Sequence, residues 1–154
     1  MKFVMPIVIV SFALLVADQA QAGSLPRHYP TGGQKTFVFS PRDREWAAYD
    51  AAGYRVSSGI ANGGMNGYRT PAGTYRVYNM AGPNHVSSRY PKPNGGAPMP
   101  YAMHFTKAGH AIHGSPYISN VNGSHGCIRV RTSAAAWLSK NFMTPGTKVV
   151  VQSY

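Results

Sequence analysis

Hydrophobic positions fall in short runs rich in β-branched and aromatic residues, separated by turn-forming Gly, Pro, Asn and Asp. Six runs predict strands: Thr36 to Ser40, Trp46 to Tyr49, Tyr54 to Ser58, Gly73 to Asn79, Ala102 to Phe105 and Thr147 to Gln152. Side chains of this kind pack well on a pleated surface and lose rotamer freedom in a helix. Between the second and third runs, Asp50-Ala51-Ala52-Gly53 predicts a hairpin connection in which Gly53 can take positive φ. One stretch carries a helical period. From Ser133 to Phe142, the residues Ala135, Leu138 and Phe142 lie close to one stripe, with Thr132 or Ser133 as cap and Pro145-Gly146 as the stop. This is the pattern of a mostly β domain with one clear helix near its C-terminus.

Three segments stand outside the pattern. A basic Lys2, an apolar run from Phe3 to Ala17 and the small-residue ending Ala20-Gln21-Ala22 have the layout of a secretory signal peptide, cleaved after Ala22. A membrane-spanning helix needs about 20 apolar residues, and Asp18 and Gln19 interrupt this run first, so no stable membrane insertion is expected after cleavage. Residues 23–35 show no apolar period and predict a linker, leaving 36–154 as the one domain. The Pro-, Gly- and Asn-rich segment 81–100 cannot be a central strand, because proline removes ladder donors. Loops of that length are usually functional or mobile, and this one is expected to form a flap beside a site.

The net charge of +11 is one-sided: beyond the signal segment the acids are Asp43, Glu45 and Asp50, and nothing from Ala51 to Tyr154 carries a carboxylate side chain. Such a field concentrates anionic partners. With an export signal, cell-wall peptides bearing free carboxylates are the better candidates, and nucleic acid is not expected. Cys127 is the single cysteine. Exported domains normally pair their cysteines, so a lone thiol invites a chemical reason or is an inert buried residue.

The chemistry gathers in His110-Ala111-Ile112-His113-Gly114-Ser115 and, after a loop, Ser124-His125-Gly126-Cys127-Ile128-Arg129. A free thiol has a pKa of about 8.5, and a neighbouring imidazole or cation raises its thiolate fraction. Gly126 would let a substrate carbonyl approach, with the Cys127 amide donating to the developing oxyanion. Arg129 stays protonated and can hold a carboxylate in a bidentate fork, or bond loop carbonyls as a structural residue. A zinc site built from His104, His110, His113, His125 and Cys127 is the chemical rival. Its spacing is not a compact zinc pattern and no acid lies nearby in sequence to serve as general base, so neither metal nor other cofactor is expected. For the same reason a backbone carbonyl, or a hydroxyl such as that of Ser115, is expected to orient His113.

His-Gly-Ser followed by Ser-His-Gly-Cys-Ile-Arg resembles the signature of the YkuD-type L,D-transpeptidase catalytic domain. Thr70-Pro71-Ala72-Gly73-Thr74-Tyr75, the segment Met99 to Phe105 and the closing Pro145 to Val151 are similar to further family elements, so the likeness runs from about Thr36 to Tyr154. The resemblance implies a β-sandwich of mixed sheets. It also implies an exported enzyme of periplasm or cell wall, acting on peptidoglycan stem peptides. In that family a cysteine attacks the third-residue carbonyl of a tetrapeptide stem and releases D-alanine. An amine of a second stem, or of an acceptor protein, then resolves the thioester. Residue by residue, Cys127 becomes the nucleophile and His113 the base. Tyr101 and the amides near Gly126 and Cys127 take the oxyanion side, and Gly114, Ser115, Ser124, His125 and Arg129 shape the pocket. Two alternatives stay open: hydrolysis of the same thioester by an L,D-carboxypeptidase, and a non-catalytic wall-binding protein of the same fold. The family often places an Asn and then an Asp after Cys-Ile-Arg; this chain has Val130-Arg131-Thr132-Ser133.

Overall fold

A computed structural model describes residues 25–154; the predicted signal peptide and its cleavage point lie outside the described residues. The strands are β1 (Thr36–Ser40), β2 (Glu45–Tyr49), β3 (Arg55–Asn62), β4 (Gly73–Arg76), β5 (Asn79–Met80), β6 (Met103–His104), β7 (Ala111–Ser115), β8 (Ile128–Arg131) and β9 (Lys148–Val151). Helix α1 (Thr132–Trp137) runs into a π-helical turn, Leu138–Phe142. The strands join in the order β4-β9-β1-β2-β3-β8-β7-β6-β5, with β1 parallel to β9 and β7 parallel to β8.

β3 makes the sandwich. Its first part pairs with β2, and its last residues, Ala61 and Asn62, pair with Val130 and Arg129 of β8. The two layers are therefore halves of one curled mixed sheet. Phe37, Phe39 and Trp46 of one half and Met103, Ile112 and Ile128 of the other share a single apolar core. The predicted helix closes it. Ala135, Leu138 and Phe142 are buried as the stripe requires, although Arg131 occupies the N-cap position and no side chain caps the helix. α1 grows directly out of β8, so its start is set by the sheet and not by Thr132 or Ser133.

The expected linker is corrected from Leu25 onward. Residues 25–35 pack on the outer face of β1 and β2, where Leu25 joins Val38, Ala47 and Tyr49 in a second buried cluster. Tyr49 donates its hydroxyl to the Pro26 carbonyl at 2.7 Å, and Lys148 Nζ donates to that of Thr31 at 2.6 Å. Gly53 takes φ +92° in the predicted hairpin, and a Cβ there would stand 2.4 Å from the Tyr29 carbonyl. The segment anchors through single residues spaced along an irregular path, which leaves no period to read.

Candidate active site

β7 and β8 lie outside the six predicted strands: His113 and Gly114 interrupt the apolar run of β7, and the alternation Ile128-Arg129-Val130-Arg131 of β8 lasts only four residues. Their parallel pairing sets Ile112 against Ile128 and His113 against Arg129. With side chains alternating between faces, Ile112, Ile128 and Val130 enter the core, while His113, Cys127 and Arg129 share the opposite face. That face lines a cavity of about 800 Å³.

The turn before Cys127 is held from inside. Ser124 Oγ donates to the Cys127 carbonyl at 2.6 Å and accepts the Gly126 N–H at 3.0 Å. Thr70 Oγ1 donates to the Gly126 carbonyl at 2.8 Å and accepts the Gly64 N–H at 3.0 Å. The Tyr154 hydroxyl accepts the Thr70 N–H and donates to the Gly64 carbonyl. Gly126 has φ +117°, where an L side chain is strained. Its amide is committed to Ser124, so of the two amides expected on the oxyanion side only that of Cys127 remains a candidate.

His113 is buried, and its Nδ1 donates to the Gly114 carbonyl at 2.8 Å. A carbonyl only accepts, so Nδ1 carries the proton and Nε2 keeps its lone pair. The orienting group is thus a backbone carbonyl; Ser115 Oγ donates instead to the Tyr117 carbonyl. Burial is the main force lowering the His113 pKa, to about 4, with the Arg129 charge adding to it and the Gly114 bond opposing it. Burial also pushes the Cys127 thiol up, against the pull of a backbone bond from Ala111 and the Arg129 charge. Near pH 7 burial favours a neutral thiol and a neutral imidazole on the walls of one cavity. Burial thus works against the expected rise in thiolate fraction.

The segment 81–100 stands beside the site as expected, contributing His85, Arg89, Tyr90 and Met99 to the cavity wall. Ser124, His125, Gly114 and Ser115 line the same cavity, whereas Tyr101 is not brought to it. The Tyr101 ring packs against the core beneath Lys140 Nζ, 5.5 Å from its centroid, and its backbone takes φ 57°. Arg89, Lys107 and Arg129 line the cavity, and no Asp or Glu does. Five histidines also line it, yet among the described residues no three His, Cys, Asp or Glu come together as metal ligands. Residue-type reasoning missed Arg89, Tyr90 and the placement of His110. Thr70 was visible only as part of the Thr-Pro-x-Gly element.

Residues 33–151 match the family model of the L,D-transpeptidase catalytic domain, YkuD. Curated proteins yield no significant match. Among solved structures, the chain is similar to an L,D-transpeptidase from Xylanimonas cellulosilytica, with 26% identity over 81% of this chain and 63% of that one, at TM-score 0.68. It is also similar to one from Stackebrandtia nassauensis, at 22% identity, 86% and 62% coverage and TM-score 0.71. A third is L,D-transpeptidase 3 from Mycobacterium tuberculosis in complex with a faropenem-derived adduct, at 24% identity, 78% and 60% coverage and TM-score 0.67. The chain spans about three fifths of the length of these solved chains.

Proposed function

The chain belongs to the L,D-transpeptidase catalytic domain family, and from that premise we propose that it transfers acyl groups of peptidoglycan stem peptides through Cys127. One observation supports this reading above the others: His113 and Arg129 on paired parallel strands, and Cys127 at the entry to the second, face one cavity in surroundings that hold cations and no carboxylate.

In the proposed reaction the Cys127 sulfur attacks the third-residue carbonyl while its proton passes to Nε2 of His113. The tetrahedral intermediate then collapses. The C–N bond to D-alanine breaks, and the imidazolium returns the proton to the departing amine. An amine of a second stem, or of an acceptor protein, attacks the thioester, gives up a proton and frees the sulfur. Arg129, with Arg89 and Lys107 at the rim, matches the carboxylates of such a donor. The proposal places the protein outside the cytoplasm, in periplasm or cell wall, where this substrate lies.

Intact-mass spectrometry of the mature protein with faropenem or a carbapenem tests the nucleophile. One adduct is expected, and none in Cys127→Ala; an adduct persisting in that variant would overturn the assignment. Incubation with tetrapeptide-bearing sacculi then separates the outcomes. Cross-links between third residues support transfer, while tripeptides alone make the protein an L,D-carboxypeptidase.

A further inference from the structure

His110 and His113 line one cavity with Cys127, and their Nδ1 partners differ. His113 donates from Nδ1 to a carbonyl, which leaves Nε2 bare. His110 instead sets Nδ1 2.7 Å from Thr106 Oγ1, and that hydroxyl already accepts the His110 backbone N–H at 3.1 Å. The Thr106 oxygen has a second lone pair and a rotatable proton, so the contact fits either His110 tautomer; with the hydroxyl proton on Nδ1, the ring proton sits on Nε2. His113 can accept a proton at Nε2, and His110 in that tautomer can donate a hydrogen bond from its own Nε2.

The donor lies against the nucleophile turn. The Cδ2–Nε2 edge of His110 faces Gly126 so closely that a Cβ on Gly126 would stand 2.7 Å from Cδ2 and 2.8 Å from Nε2. The residue before it, Gly109, offers its carbonyl to Cys127 Sγ at 3.8 Å. Burial, with Arg89 adding to it, lowers the His110 pKa, so the ring is neutral near pH 7. A donor is wanted here. The Gly126 amide is engaged by Ser124, and the phenol expected on the oxyanion side, that of Tyr101, is packed elsewhere.

We propose that His110 is a further catalytic residue, whose Nε2–H donates a hydrogen bond to the oxyanion formed when Cys127 adds to the substrate carbonyl. No proton is transferred by His110. Its bond strengthens as charge develops on the oxygen, beside the Cys127 amide, and the proton traffic stays with His113. This rests on the acyl-transfer reading above.

The test compares two reactions of the same thiol in the mature protein. Acylation by a carbapenem passes through an oxyanion; alkylation by iodoacetamide displaces iodide at carbon and forms none. In His110→Leu acylation is expected to fall by roughly 10²–10³-fold, the loss typical of one oxyanion donor, while alkylation keeps its wild-type rate. His110→Gln, with an amide N–H in a similar place, should lose less. Equal losses in both reactions would make His110 a support for the turn, and wild-type acylation in His110→Leu would remove it from the chemistry; either overturns the proposal. Should His110→Leu unfold by circular dichroism, His110→Gln decides by the same comparison, selective loss of acylation supporting the proposal and any other result overturning it. A wild-type protein that alkylates but never acylates overturns the acyl-transfer reading itself, and this proposal with it.

Discussion

The ring of Tyr90 lies flat on that of His125, with centroids 4.1 Å apart and planes 9° apart. Tyr68 meets the same imidazole edge-on at 4.9 Å. His125 is thus gripped between the segment 81–100 and the chain before β4, two residues from Cys127. Stacked aromatic pairs contribute about 0.5–1.5 kcal/mol beyond area burial, enough to bias a loop without locking it. Tyr90→Ala should raise hydrogen exchange in residues 81–100 and weaken donor binding, leaving β7 and β8 protected. Unchanged exchange in that loop would show that its own backbone bonds hold it.

The acid limb of the acylation rate follows from His113. As the proposed base His113 works only while neutral, and its pKa of about 4 lies below the ordinary 6.5. Acylation of the free enzyme should therefore hold as pH falls through 6.5 and drop only near 4. His113→Gln should lose roughly 10²–10⁴-fold, as expected of a missing general base, with that limb gone. A wild-type midpoint at 6.5 would mean that His113 is not the titrating base, or that it is far more hydrated than its burial implies.

The same shift reaches stability. Between pH 6.5 and about 4 the unfolded chain binds a proton that folded His113 does not. Stability is whole above 6.5 and declines as pH falls toward 4, by about 3 kcal/mol in full from this residue. His104 and His110, also lowered by burial, act in the same direction. Urea melts of wild type and His113→Gln across this range should converge toward low pH in the share owed to His113. Parallel curves would contradict the coupling.

Thr70→Val tests the latch beneath the turn. It removes a buried hydroxyl that serves the Gly126 carbonyl and the Gly64 N–H. Leaving buried groups unpaired costs about 1–3 kcal/mol each, so a drop of that order in urea stability is expected, with slower acylation as Gly126 loses its hold. Thr70→Ser should restore most of both.

The family was legible in sequence alone, since His-Gly-Ser followed by Ser-His-Gly-Cys-Ile-Arg carries the resemblance that the family match over residues 33–151 bears out. So was the mostly β class: runs such as Thr36 to Ser40 are rich in β-branched and aromatic residues and bounded by turn formers, and Ala135, Leu138 and Phe142 mark a buried stripe wherever the helix packs. Tertiary structure decided what depends on partners distant in the chain. The strand character of Ala111–Ser115 comes from pairing with β8, and the docking of residues 25–35 comes from Tyr49 and Lys148. Tyr101 turns to the core while His110 turns to Gly126, and His113 takes its tautomer from the Gly114 carbonyl. Periodicity records which face of an element is apolar. Which polar atom meets which is set by the closing of the sheet, and that distance in space has no counterpart along the chain.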